Sequence, residues 1–328
     1  MDNIEKYPLY GPLEINALGS NYKLFLEAGK REIKNLWDIK HQSDFKVDGY
    51  EMIRYLAKGS FGKVVLVRNK VDDGYHAMKV LDKENIVKKK QLLHLKGEIN
   101  VLRSVNFPFT MYLQHFIIGN TLLYIVTPYV ESGDLFTHLR KERRFDEHIS
   151  TFYGAQILLA IEFLHYSDIL HRDIKPENIL LDHTGFLKLT DFGFAKMVKG
   201  RTYSMCGTPE YIAPEIICNN GYGKAVDWWA FGILLFEMTT GRTPFYNSDP
   251  NKMFQQVCKC KFLFPYGLSK ELKDLLKKLL QLDVTKRFGN LKNGVGDIKD
   301  HLWFRRIEWN AVLNRLVSPP YIPELIST

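Results

Sequence analysis

The chain of 328 residues is 45% hydrophobic and 25% charged, with a formal net charge of +8, which supports a real core and a soluble surface in one large or two modest domains. Its longest apolar runs, such as Ala230–Phe236, are too short to span a bilayer, the polar start MDNIEKY is no secretory signal, and Asp2 excludes N-myristoylation. The positive charge is dispersed, with Lys88-Lys89-Lys90 its densest run, so it reads as a solvated helix face and not as a nucleic-acid footprint; no zinc-finger or RNA-recognition signature is present.

In chain order, YKLFLEAGKREIKNLWD at 22–38 is predicted to be an amphipathic helix, with Leu26, Ile33 and Trp37 on one face and Lys30, Arg31 and Lys34 opposite. Leaving Trp37 in water forgoes hydrophobic stabilisation, so the helix is expected to dock on the main body. Residues 50–83 alternate as strands do: a hairpin through Gly59–Gly62, the run VVLVR, a turn at Asp72-Asp73-Gly74, then YHAMKVL. Residues 91–104 read as a helix and Leu122–Pro128 as a strand. From about residue 133 the pattern turns helical, through DLFTHLRK, ISTFYGAQILLAIEFLHY, VDWWAFGILLFEMTTG and SKELKDLLKKLLQLD. This predicts an α+β protein with an extension at 1–49, a small β-rich unit at 50–128, a larger α-rich unit at 129–305 and a tail at 306–328. The crossover near Tyr129–Gly133 makes the cleft between the units the expected ligand site. Cys206, Cys218, Cys258 and Cys260 lack zinc-ligand spacing and read as reduced thiols of a cytoplasmic or nuclear protein.

LAKGSFGKVVLV at 56–67 holds two glycines, with Ala57 where a three-glycine phosphate loop would carry its first. A dinucleotide-binding loop runs from a strand into a helix. Here the glycines lead into a β-branched run, so the loop is a hairpin tip, and two glycines there alone would serve only the turn. The neighbours change that reading. Seventeen residues past Gly62 comes Lys79 in an apolar strand, and nineteen further comes Glu98 on the next helix. A buried lysine needs a partner, and Glu98 is the candidate. Downstream lie His171-Arg172-Asp173, Lys175 and Asn178, then Asp191-Phe192-Gly193 and Ala213-Pro214-Glu215, in the order and spacing of the protein-kinase set.

On these motifs, together with VNFPF (105–109), RDIKPEN (172–178), TDFGFAK (190–196), CGTPEYIAPEII (206–217), KAVDWWA (224–230) and VTKRFGNLKNGV (284–295), the chain resembles the eukaryotic protein kinases of the cyclic-nucleotide-dependent group. The resemblance runs from about residue 22 to the end. It is strongest to the cAMP-dependent branch, with the cGMP-dependent enzymes near relatives and a catalytically inactive kinase-like scaffold the competing class. It implies a bilobal fold with a β-rich N-lobe and a helical C-lobe, ATP and two Mg²⁺ ions as cofactors, and phosphoryl transfer to Ser/Thr in R-R-x-S/T-like targets.

By that resemblance, Asp173 accepts the substrate hydroxyl's proton, Lys79 held by Glu98 grips the α- and β-phosphates, and Lys175 faces the γ-phosphate. Asn178 and Asp191 would hold the metal ions, oxygen ligands suiting a hard cation. Gly59, Ser60, Phe61 and Gly62 would cover the phosphates. Leu56, Val64, Ala77, Thr127, Tyr129, Val130, Leu180 and Thr190 would surround the nucleotide, with Asp134 toward its ribose. Ser204 stands at the family's phosphorylated threonine, and His94, Arg172 and Lys196 match the cations around that phosphate. Asp134, Glu177, Glu210 and Glu237 match the acids that read target arginines, beside Thr208 in the substrate site. Glu215 and Arg287 match a buried structural ion pair. The implied partners are protein substrates, a cyclic-nucleotide-binding regulatory subunit and a pseudosubstrate inhibitor, with no nucleic acid and no membrane anchor.

The chain also departs from the family pattern. Thr127 and Pro128 replace a methionine and an acid, which predicts an open back pocket. Asp134 is one methylene shorter than the family's glutamate. Tyr203 replaces a tryptophan and Asn220 a lysine at positions of regulatory-subunit contact. The sequence ends at Thr328, before the family's acidic, phenylalanine-bearing stretch over the ATP site, whose absence would weaken nucleotide binding.

Overall fold

Strands β1 (Tyr50–Gly59), β2 (Gly62–Asn69), β3 (Tyr75–Asp82), β4 (His115–Ile118) and β5 (Leu122–Pro128) form a sheet in the order β1-β2-β3-β5-β4, every neighbouring pair antiparallel. The computed structural model describes residues 18–37, 46–59 and 62–323. Directly paired residues share a face of a sheet. Val64 pairs with Lys79 and Leu66 with Ala77, while Lys79 and Ala77 pair across their other edge with Ile125 and Thr127. The opposite face gathers Val65, Val67, Met78, Val80, Ile117 and Val126 with Tyr50 into a small separate core. Alternation in the sequence thus decides that Ala77 and Lys79 leave that core and face the other way. The expected hairpin is present, with Gly59 opposite Gly62.

Helix α1 (Leu18–Trp37) starts four residues before the predicted 22, because Gly19, Ser20 and Asn21 carry no helical periodicity of their own. It docks as expected. Phe25, Leu26 and Ile33 are buried and Trp37 packs on the same core, with Phe25 against Phe107 and Phe163. A Cβ on Gly29 would come within 2.6 Å of the Phe163 ring, so the helix approaches closely only where it lacks a side chain. Arg103 donates to the carbonyls of Leu36 and Trp37, satisfying the end of the helix. After α2 (Lys83–Lys88), α3 (Leu92–Ser104) carries Glu98 and packs against α1 and the Phe192–Phe194 turn.

The larger lobe holds α4 (Leu135–Glu142), α5 (Glu147–Tyr166), α6 (Pro214–Ile217), α7 (Ala225–Thr240), α8 (Pro250–Lys259), α9 (Lys270–Leu279), α10 (Gly296–Lys299) and α11 (Trp309–Leu313). Two short strand pairs sit at its upper edge: β6 (Ile169–Leu170) with β9 (Lys196–Met197), and β7 (Ile179–Leu181) with β8 (Leu187–Leu189). α5 and α7 are buried almost all round, as helices without a polar stripe must be. α9 stops before the predicted Asp283; beyond it the carbonyls of Leu280 and Gln281 accept from Cys260 and Arg287. The short α6, α8, α10 and α11 went unpredicted.

A backbone bond crosses between the lobes, from Met111 N–H to Leu189, and within the larger lobe Ser132 N–H donates to Leu181 and Leu181 N–H to Gly133. Arg287, fully buried, grips Glu215 with two parallel bonds of 2.6 and 2.9 Å and also reaches Ala225 and Gln281. That satisfies donors whose burial would otherwise be costly. The structure is therefore a bilobal α+β fold with a docked N-terminal helix, and no helix among the described residues is long and apolar enough to cross a membrane.

Candidate active site

The loop from His171 to Asn178 lies between β6 and β7 and is held from below by one buried carboxylate. Asp227, in the first turn of α7, accepts from His171 N–H at 2.9 Å, Arg172 N–H at 2.8 Å and His165 Nε2 at 2.7 Å. Burial pushes the Asp227 carboxyl up, but these donors overcome it and hold its pKa below the ordinary carboxylate range. Sequence reading missed this residue; the available signal was an acid inside the apolar run VDWWAFGILLF. Arg172 is held at φ 69, a left-handed conformation that a non-glycine residue keeps only when its surroundings enforce it. Asp173 N–H donates to His171 Nδ1, so the other ring nitrogen donates to the Thr190 carbonyl at 3.1 Å.

Asp173 collects four donors. Its Oδ1 accepts from Thr208 Oγ1 at 2.7 Å and Thr208 N–H at 2.9 Å. Its Oδ2 accepts from Asn178 Nδ2 at 3.0 Å and Lys175 Nζ at 3.1 Å. Burial raises its pKa, but Thr208 and Lys175 outweigh that, and the net position is below the ordinary value. Lys175 also donates to Thr208 Oγ1 at 2.7 Å, so Asp173, Lys175, Asn178 and Thr208 form one network.

From the other lobe, Lys79 Nζ meets Glu98 Oε1 at 2.6 Å, with the lysine side chain 25% and the glutamate 9% exposed. Burial pulls the Lys79 pKa down, yet Glu98 and Asp191 pull harder and leave it raised. That coupling puts Asp191 within electrostatic reach of Lys79. Asp191 sits at φ 57 with its carboxylate exposed, one oxygen accepting from Gly193 N–H at 3.3 Å. It follows Thr190, whose N–H donates to the Asn178 carbonyl. Asn178 spends its amide N–H on Asp173 and keeps its side-chain oxygen, so the pair offers oxygen donors of the kind Mg²⁺ takes. No group of three or more His, Cys, Asp or Glu side chains that could hold a metal occurs among the described residues.

The residues expected around a nucleotide fall partly on the sheet and partly on the large lobe. Leu56, Val64, Ala77 and Thr127 are half-buried on the sheet, and Thr127 Oγ1 donates to the Ala77 carbonyl at 3.5 Å. Val130 and Leu180 are half-buried against the large core, Thr190 is half-buried beside Asp191, and Tyr129 accepts from Arg54 at 3.2 Å. Gly59 ends β1, while Ser60 and Phe61 lie outside the described residues. A Cβ on Gly62 would fall 1.9 Å from the Val80 carbonyl oxygen, so glycine is required there by the approach of β2 to β3. Ala57 is an exposed strand residue, not one of the positive-φ positions.

The four acids matched to target arginines divide. Glu237 is buried at 3% exposure and accepts from the Tyr211 hydroxyl. Burial lifts its pKa to about 7, and Glu177 and Glu210 add to the rise. These three acids are therefore neighbours; Glu177 is exposed, and Glu210 accepts from Thr243. Asp134 instead caps α4, its Oδ1 accepting from Thr137 N–H at 2.7 Å and Thr137 Oγ1 at 2.9 Å. The signal for that cap was Asp134-x-x-Thr137 at the start of a helical pattern.

Ser204 is exposed, and the cations matched to its phosphate hold other partners. Lys196 donates to Thr202, Arg172 to the Phe194 carbonyl and the Tyr222 hydroxyl, and His94 bonds Gln91 and packs on Phe194. Tyr222 in turn donates to the Ser204 carbonyl.

A lysine–glutamate pair on the small lobe, with a hydrogen-bonded His171–Asn178 loop and an Asp-Phe-Gly turn on the large one, points to a class, and the chain belongs to it: residues 50–304 match the protein kinase domain family. Within that family the chain is similar to catalytic subunits of cAMP-dependent protein kinases. It is 42% identical to cAMP-dependent protein kinase catalytic subunit 2 of Drosophila melanogaster over 308 residues, 93% of this chain and 87% of the relative. It is 47% identical to the Mus musculus cAMP-dependent protein kinase catalytic subunit PRKX over 276 residues, 84% of this chain and 78% of the relative. It is also 46% identical to the cAMP-dependent protein kinase catalytic subunit of Dictyostelium discoideum over 84% of this chain, spanning 43% of that longer protein.

Proposed function

We propose that the chain is an active serine/threonine kinase of the cAMP-dependent type, with an N-lobe at 50–128 and a C-lobe at 129–305. The observation that carries it is the Asp173–Thr208–Lys175–Asn178 network beneath the Lys79–Glu98 pair. Two Mg²⁺ ions, held by Asn178 and Asp191, would neutralise the charge of the ATP phosphates. Lys79 grips the α- and β-phosphates, the Gly59–Gly62 tip covers them, and Lys175 faces the γ-phosphate. Asp173, ionised at neutral pH, orients the incoming hydroxyl and takes its proton as the phosphoryl group departs.

Glu177, Glu210 and Glu237 give a basic protein a local acidic surface, which favours targets with arginines before the Ser/Thr. Asp134, committed to its cap, contributes less. Phosphorylated Ser204 would draw Arg172, Lys196 and His94 from their present partners and order residues 200–208 around it; full activity in Ser204→Ala would count against this. Tyr203, 62% exposed, belongs to the surface for a cyclic-nucleotide-binding regulatory subunit or a pseudosubstrate inhibitor. The protein works in the cytoplasm or nucleus.

The test is transfer of labelled phosphate from ATP to a serine peptide with upstream arginines. Asp173→Ala should lose about 10²–10⁴-fold in kcat. Equal turnover by both proteins, or none by the wild type with Mg²⁺ present, would favour the scaffold reading.

A further inference from the structure

Two of the four thiols meet across elements that are distant in sequence. Cys218 caps the C-terminus of α6 and is exposed, and Cys258 lies on α8, which packs against α6. Their sulfurs are 3.9 Å apart, forty residues separating them. Both line a cavity of about 610 Å³, also bordered by Glu215, Tyr222, Lys224 and Leu282, so a small oxidant can reach either sulfur. The other two cysteines are engaged elsewhere. Cys260 donates to the Leu280 carbonyl at 3.0 Å, and Cys206 lies 3.7 Å from the Tyr222 hydroxyl.

We propose that Cys218 and Cys258 are a redox modification site that closes to an intramolecular disulfide in the presence of a hydroperoxide. A disulfide needs the sulfurs at about 2.05 Å, so they must close from 3.9 Å, and the exposed Cys218 side chain is the one with room to turn. The Cys218 thiolate attacks the hydroperoxide, its O–O bond breaks, and the leaving oxygen takes up the proton that the Cys218 thiol gave to solvent, so the products are a Cys218 sulfenic acid and an alcohol (water if the oxidant is hydrogen peroxide). The Cys258 thiolate then attacks the sulfenic sulfur. The S–S bond forms and the sulfenic oxygen leaves as water with the proton from Cys258. In sum the two thiols give up two electrons and two hydrogens, and the peroxide is reduced. Desolvation and the Cys218 sulfur raise the Cys258 pKa, which suits it to wait as the resolving thiol while the exposed Cys218 reacts first. The bond would staple α6, which starts directly after Ala213, to α8.

The experiment is peroxide treatment of the dilute full chain, alkylation of remaining thiols, digestion without reductant and mass spectrometry. The expected product is one linked peptide pair containing Cys218 and Cys258, lighter than the two reduced peptides by the mass of two hydrogens and separated again by dithiothreitol. Cys218→Ser and Cys258→Ser should abolish it; Cys206→Ser and Cys260→Ser should leave it. Cys218 recovered only as sulfinic or sulfonic acid beside an alkylated Cys258, or a link that appears only in covalent dimers on a non-reducing gel, would overturn the proposal.

Discussion

Replacing Asp227 by asparagine tests how the catalytic loop is held. Asp227 Oδ2 accepts from His165 Nε2 and His171 N–H, and Oδ1 from Arg172 N–H. An asparagine has one acceptor oxygen and one NH₂. Placed either way, the NH₂ confronts a backbone N–H, so one buried donor loses its partner. That orphan costs about 1–3 kcal/mol, and loss of the charge-assisted bonds adds to it, against a total stability of roughly 5–15 kcal/mol. The expected fall in Tm is about 5 °C. Because the lost bonds position His171 and Arg172 directly before Asp173, kcat should fall about 10²-fold, as for a misplacement of about 1 Å, with a smaller change in the KM for ATP. Thermal unfolding followed by circular dichroism and steady-state kinetics on one preparation measure both. The depressed pKa of Asp227 adds a pH signature: its stabilisation is present above the unfolded value of about 3.9 and is lost as pH falls through the lower folded value. Wild-type Tm and kcat in Asp227→Asn would refute the reasoning.

Glu237, with its pKa lifted to about 7 by burial, predicts that the KM for a peptide with an upstream arginine falls as pH rises through that value. A peptide with alanine at that position should show a flat profile, as should Glu237→Gln; a slope that survives in Glu237→Gln assigns it to another group. The same shift costs stability as pH rises from the unfolded value of about 4.3 to about 7. Gly62→Ala forces a Cβ to within 1.9 Å of the Val80 oxygen and should cost about 1–3 kcal/mol of stability and raise the KM for ATP. Ala57→Gly, at an exposed position without positive φ, should change ATP affinity by less than about tenfold, roughly 1.4 kcal/mol. Nucleotide titration and thermal unfolding compare the two, and the opposite order would contradict the geometry. Thr127 pairs with Ala77 and shares the sheet face of Lys79, so if that face holds the nucleotide, as proposed, ATP-competitive compounds with a bulky aryl group should inhibit the wild type and be blocked by Thr127→Met; equal potency on both would remove the open back pocket.

The sequence by itself determined β1, β2, β3 and β5, most of the longer helices and the motif residues, while β4, the short strand pairs β6–β9 and β7–β8, and α8 were not legible in it. Period-2 alternation sends Lys79 away from the small core, and the helical face of Leu26, Ile33 and Trp37 leaves α1 nowhere to go but onto the body. These signals are local: each is carried by neighbours a few positions apart, within the reach of side-chain periodicity. Only the tertiary structure decided that Asp227 would hold His171 and Arg172 from more than fifty residues away, that Asp134 would cap its own helix while Glu237 met Tyr211, and that Cys218 would face Cys258. A buried polar group takes whichever partner the packed lobes bring near it, and which groups come near is fixed by the closing of the core rather than by spacing along the chain.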